Sequence, residues 1–227
     1  MATIPPDWSI PTIPQAGGGS FPVRRIFCVG RNYAAHAREM GRDPDREPPF
    51  FFTKFADSVA ANGATIAYPP ETANYHYEAE LVMAIGREGF RIPAAEAQAH
   101  IHGYAVGLDM TRRDLQLAAR ELGRPWDTGK NFPESAPMAA LHPAEQIGHP
   151  RSGAIWLEVD GARKQEADLA DMLWNCDEIV EHLSYLYRLL PGDLIMTGTP
   201  AGVGPVVAGQ ELRVHVDGLE ELRVRIG

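Results

Sequence analysis

The chain holds only two cysteines, Cys28 and Cys176, in 227 residues, too few and too far apart for a disulfide framework or a thiolate zinc cluster. Both read as buried thiols in a reducing compartment. No stretch approaches the ~18 consecutive apolar residues of a membrane span. The N-terminus lacks the charged and apolar regions of a secretory signal, so the sequence predicts a cytoplasmic protein without membrane contact. Positive charge is also in short supply. Against 30 Asp and Glu stand 21 Lys and Arg, scattered rather than striped, for a net charge of −9, which argues against a nucleic-acid partner. The glycine-rich run near residue 200 lacks the Walker lysine and its spacing, so it is not a P-loop. What remains is a soluble enzyme-like chain whose length suits one large domain.

Residues 1–22 carry Pro5, Pro6, Pro11, Pro14, Gly17, Gly18, Gly19 and Pro22, a composition that cannot sustain a helix or a central strand. They read as an arm whose Trp8, Ile10 and Ile13 are free to pack on the body or on a second subunit. From residue 23 the pattern becomes that of a folded domain. Ile26–Val29, Phe50–Lys54, Thr65–Tyr68 and Tyr104–Met110 read as strands, and Ala94–His102 and Arg112–Leu122 as helices. Asp160-Gly161 and Asp217-Gly218 predict two hairpins. A further helix, capped by Asp177, is expected to run to about Leu190.

The stretch that organises the rest is YEAELVMAIG, residues 77–86. It sets Glu78 and Glu80 two apart in an apolar, β-prone run, so both carboxylates leave one face of a strand. An isolated pair of this kind is usually a solvated strand face. Asp109, the one charge of YAVGLDM, supplies a third carboxylate at a strand end, and three oxygen donors suit a hard divalent cation, Mg2+ or Mn2+ before Zn2+. In RNYAAHAREMG, Asn32 is placed to cap a short helix that ends at Gly41. His36 and Glu39 are then neighbours at i and i+3, which describes either a general-base dyad or an ordinary surface pair. The charged, proline-rich stretch that follows makes 34–49 a candidate lid. Arg113 and Gln116 share a helix face, and Lys130 lies in the loop beyond. Such cationic and amide donors beside a metal suit a carboxylate-bearing substrate. The loop TGTPAGVG offers Thr199 and backbone N–H groups to an anion, or serves as turn punctuation between strands. His100 and His102 cannot share a helix face and read as structural.

VGRNYAAHAREMG, YEAE, GLDMTRRDLQ, the lysine of GRPWDTGKNF and PGDLIMTGTPAGVG, in that order, resemble the fumarylacetoacetate hydrolase family over residues 23–227. The resemblance implies an α+β fold, a mixed β-roll core with short flanking helices, usually dimeric. It implies Mg2+ or Mn2+ on Glu78, Glu80 and Asp109, a catalytic dyad of His36 and Glu39, catalytic roles for Lys130 and Gln116, and substrate binding by Arg31, Arg113 and Thr199. The expected reaction is hydrolysis of the C–C bond of a 2,4-dioxo acid, with fumarylpyruvate the first expectation. Oxaloacetate decarboxylation, or isomerisation or tautomerisation of a related oxo acid, is the alternative on the same metal site. A non-catalytic metal-dependent binding protein is a further one, disfavoured by the presence of both dyad residues.

Overall fold

The centre of the fold is a strand with no exposed side. Ala79–Ile85 is buried at all seven positions and pairs antiparallel with Ile101–Leu108 on one side and Asp193–Met196 on the other. Its near-continuous apolar run is what a strand covered on both faces requires. In this computed structural model, which describes residues 9–39 and 47–227, it lies in the middle of an eight-stranded mixed sheet. The order across that sheet is Phe50–Lys54, Arg25–Gly30, Asp193–Met196, Ala79–Ile85, Ile101–Leu108, Ala136–Met138 and Val59–Ala61. His142–Pro143 adds to Ile101–Leu108 off this path. The sheet curls into a half barrel, and the few helices are short, which gives the expected α+β roll.

A five-stranded sheet packs over it, ordered Ala162–Asp168, Ala154–Val159, Glu211–Val216, Leu222–Ile226 and Thr65–Ile66. Both expected hairpins lie here. Asp160 and Gly161 take φ of 49° and 78°, as a two-residue turn between right-twisted strands demands. Ile155, Leu157, Val214 and Val216 face Leu81, Met83, Tyr104 and Val106 in the larger core. Val82 and Ala84, on the opposite face of the central strand, enter a second cluster with Cys28, Met196 and two residues of the arm, Ile13 and Phe21. Side-chain alternation along the strand thus feeds two cores at once.

The arm is more ordered than its composition suggests. Thr12–Pro14 and Ser20–Pro22 form a small hairpin on their own, joined through Gly17, Gly18 and Gly19, all at positive φ. Leu141 donates to Pro14 and accepts from Ala16, and His102 stacks on Phe21 and bonds Gln15 at 2.9 Å, fastening the hairpin to the body. Ile10 stays exposed, and Trp8 lies outside the described residues.

Several boundaries differ from expectation. The run 77–86 is not one strand. Tyr75–Tyr77 pairs with Thr111–Arg112 and Gly204–Pro205 in a separate three-stranded sheet, and pairing is interrupted at Glu78. Ala94–His100 is a 3-10 helix, and His102 already belongs to the next strand. The late helix is Cys176–Leu186, and its cap is Asn175, which accepts from Asp177 and Glu178 while Glu178 reaches back to the Asn175 amide. That capping box outcompetes Asp177, whose carboxylate instead meets Arg151 and Gln98. Asn32 does not cap the helix Ala34–Glu39. Its side chain accepts from the Trp174 amide and donates to Trp174 and Thr197 carbonyls, tying three segments together. Gly41 and the middle of the candidate lid, 40–46, lie outside the described residues.

Candidate active site

Three strand ends bring the carboxylates together. Glu78 sits at the break between two strands, Glu80 two residues into the central one, and Asp109 just past Ile101–Leu108, whose last residue pairs with Ala79. One oxygen from each of the three lies within 4.8 Å of the others, and all three residues are buried, Glu80 at 1% exposure.

Buried anions need partners. Lys130, completely enclosed at the end of Asp127–Lys130, spends its three N–H donors on Glu78 Oε2 (2.8 Å), Asp109 Oδ2 (2.7 Å) and Thr111 Oγ1 (2.8 Å). Arg113, on the first turn of Arg113–Glu121, binds the other Glu78 oxygen, and its Nη1 donates to Gln116 Oε1 at 2.5 Å. This fixes the amide of Gln116, leaving its NH2 as the donor toward a ligand. Lys54 Nζ stands 2.9 Å from Asp109 Oδ1, yet that oxygen receives no well-aligned hydrogen bond. Glu80 is served differently: its Oε2 accepts the Gly198 amide at 2.6 Å.

The electrostatics follow this unequal sharing. Burial pushes the Glu78 carboxyl up, but Lys130, Arg113 and His36 outweigh it and hold the group well below the usual carboxylate range. Glu80 is driven far the other way by burial and by its neighbours Asp109 and Glu78. Lys130 keeps its proton more tightly than usual, burial being overcome by Asp109 and Glu78. The protein's own cations therefore cover Glu78 and Asp109 and leave Glu80 under-compensated. An all-oxygen, all-carboxylate donor set with that imbalance fits a hard divalent cation.

The dyad lies across the pocket. His36 is buried, its Nδ1 is 3.1 Å from Glu39 Oε2, and its ring helps line a chamber of about 30 Å³ with Glu78, Glu80, Gln116, Lys130 and Thr199. Glu39 is anchored in turn. Both its oxygens accept the Gly202 amide at 3.1 Å. Two N–H groups of the glycine-rich loop, Gly198 and Gly202, are thus engaged by the chain's own carboxylates, a use the sequence did not reveal. Gly202 has φ +93°, and a Cβ there would meet the Lys164 carbonyl at 2.1 Å, so the close approach requires glycine. Arg31, at φ 60° where its strand ends, lies 5.1 Å above the Phe50 ring on the outer wall.

All ten expected residues therefore line this pocket or contact a residue that does. Two further residues, Lys54 and Gln165, brace the site without being recognisable in that role from the sequence. Lys54 was visible as the charge ending an apolar strand, but its partner Asp109 is distant in sequence. Gln165 stands in a polar strand, ARKQEAD, that reads as solvent-facing, yet it is buried. It accepts the Ala79 amide at 3.0 Å and donates to Thr199 Oγ1 and the Pro200 carbonyl at 2.8 Å each. Its signal was absent because the burial is created by the loop packed over it.

Fold and site together define a class: a β-roll protein with a buried three-carboxylate cluster that could bind a metal, faced by a His-Glu pair. The chain belongs to the fumarylacetoacetate hydrolase family, whose model, described as fumarylacetoacetate (FAA) hydrolase C-terminal, matches residues 25–227. It is 50% identical over 190 residues to the fumarylpyruvate hydrolase of a Ralstonia species, covering 83% of this chain and 98% of that one. The crystal structure of fumarylpyruvate hydrolase from Pseudomonas aeruginosa, in complex with Mn2+ and pyruvate, superposes with a TM-score of 0.96 at 53% identity and covers 99% of each chain. The mouse mitochondrial oxaloacetate tautomerase FAHD1 is 38% identical over 203 residues, 89% of this chain and 91% of the relative.

Proposed function

We propose that this protein hydrolyses the C3–C4 bond of a 2,4-dioxo acid, fumarylpyruvate in the first instance, to pyruvate and a carboxylic acid, here fumarate. The carrying observation is that His36, Glu78 and Glu80 line one chamber, with Glu39 bonded to His36 behind it and Asp109 completing the carboxylate cluster through Lys130. Relatives named fumarylpyruvate hydrolase at 50% and 53% identity support the substrate.

Glu78, Glu80 and Asp109 would hold Mg2+ or Mn2+, which when bound supplies positive charge against the carboxylate and 2-oxo oxygens of the substrate. With Nδ1 directed to Glu39, His36 presents Nε2 as the base. That nitrogen takes a proton from water as the water oxygen bonds C4. Glu39 stabilises the imidazolium that results. The NH2 of Gln116 is the donor for the oxyanion at C4. Lys130 can join it by exchanging one of its three present acceptors. The C3–C4 bond then breaks, pyruvate departs as its enolate and C3 regains a proton. Arg31, Arg113 and Thr199 position the substrate carboxylates. Residues 23–227 form the catalytic domain and 1–22 an arm.

We also infer a cytoplasmic homodimer that uses Mg2+ and acts in the breakdown of aromatic compounds. The two free buried thiols support a reducing compartment, and the exposed Phe90, Tyr185, Leu186 and Tyr187 offer apolar surface for a second subunit. A side-by-side assay on fumarylpyruvate, acetylpyruvate and oxaloacetate, with and without EDTA, tests the reading. Chromophore loss fastest with fumarylpyruvate and abolished by EDTA is expected. Turnover of oxaloacetate alone would favour the tautomerase or decarboxylase reading, the first of which has a 38% identical relative named oxaloacetate tautomerase behind it.

A further inference from the structure

The chamber lined by Glu78 and Glu80 adjoins a larger one. The inner space, about 30 Å³, shares Arg31, Phe52, Trp126 and Lys130 as wall residues with an outer space of about 480 Å³. By volume the inner chamber has room for roughly two waters. A dioxo acid bound by its pyruvate end must therefore extend its acyl group outward.

Two features of the outer chamber bear on which acyl group fits. The first is an aromatic wall: Trp126 meets Phe50 edge to face at 5.3 Å and Phe52 at a tilt at 5.7 Å. Gly30 makes room for this arrangement, because a Cβ there would strike the Phe50 ring. A planar conjugated acyl chain can stack on the face of one of these rings and meet the edge of the next. The second is charge. Lys130 is committed to Glu78 and Asp109, and Asp127 is the chamber's acid. Arg124 lines the same space, is exposed, and makes no ion pair or side-chain hydrogen bond among the described residues. In a chain of net charge −9, a guanidinium on a pocket wall without an internal carboxylate partner is placed to meet an anion from outside.

We propose that the outer chamber is a subsite for the distal carboxylate of a dicarboxylic acylpyruvate, with Arg124 as the residue that selects it. The proposal rests on the hydrolase reading above and deepens it. A trans double bond holds the distal carboxylate rigidly away from the scissile bond, toward the outer chamber. A neutral acyl group leaves Arg124 unused, so the chamber discriminates on distal charge.

The test compares wild type with Arg124→Gln and Arg124→Lys. The ratio of kcat/KM on fumarylpyruvate to that on acetylpyruvate should fall roughly tenfold or more in Arg124→Gln, mainly through KM, and recover in part in Arg124→Lys, which keeps the charge but not the fork. Fumarate binding to the Mn2+-loaded enzyme, measured by calorimetry, should weaken in step. This arm needs no turnover. If wild type leaves fumarylpyruvate intact while fumarate binding still depends on Arg124, the hydrolase reading fails and the subsite stands. An unchanged substrate ratio together with unchanged fumarate binding overturns the subsite.

Discussion

The floor and the roof of the active site are built from different materials. The floor is Glu78, Glu80 and Asp109 on strands or strand ends in or beside the central sheet, buried and braced by Lys54, Lys130 and Arg113. The roof is His36 and Glu39 on a six-residue helix, Glu39 being 35% exposed in its side chain and held by the Gly202 amide. A helix so short has little stability of its own and takes its position from such tertiary ties. On the proposed mechanism the floor binds a cation and a chelating acid without the roof, whereas the roof does nothing without the floor. Binding and chemistry should therefore come apart under mutation.

The largest effect should come from breaking the floor. Glu80→Gln replaces an under-compensated anion with a neutral amide and should lower kcat/KM on the order of 10³-fold, with metal affinity falling in parallel by calorimetry. Full turnover at unchanged metal affinity would remove Glu80 from the site. In the roof, Glu39→Gln still orients the ring but cannot stabilise its positive charge, and kcat should drop about 10- to 100-fold without loss of metal. A rate equal to wild type would leave His36 acting without its partner.

Gly202→Ala loosens the tie between them. The added Cβ meets the Lys164 carbonyl at positive φ, so the loop must shift, moving the amide off Glu39. A cost of about 1–3 kcal/mol in unfolding free energy and a roughly tenfold fall in kcat are expected. A stable variant with normal kcat would show that the anchor is dispensable. The smallest effect is dynamic. Oxalate, a mimic of the chelating pyruvate half, should slow amide exchange several-fold in the helix Ala34–Glu39 and leave Ala79–Ile85 unchanged. Equal exchange in the helix with and without oxalate would count against a lid.

The floor was also the more legible half. A carboxylate pair in an apolar strand is ordinarily a solvated face, but a third carboxylate at the end of a second apolar strand is not explained that way, so Glu78, Glu80 and Asp109 stand out together. Phe50–Lys54 was bounded correctly because an apolar run ended by a charge marks itself. What escaped depended on contacts between distant segments. Gln165 looks solvent-facing until the 198–202 loop covers it, and Asn32 looks like a helix cap until Trp174 and Thr197 arrive. The cap at Asn175 was missed for a local reason: Asp177 has the right chemistry, but only Asn175 has a glutamate three residues on to complete the box. The break at Glu78 was hidden because both flanking segments are β-prone, and only the pairing of Tyr75–Tyr77 in another sheet reveals it.

The most direct test of a binding floor under a catalytic roof is His36→Ala, with kcat on the best acylpyruvate measured beside calorimetric affinities for Mn2+ and oxalate. The roof should be lost alone: kcat falls roughly 10²- to 10⁴-fold, while both affinities stay within about twofold of wild type. Wild-type kcat in His36→Ala would contradict the account and leave a decarboxylase or tautomerase that relies on the floor and Lys130.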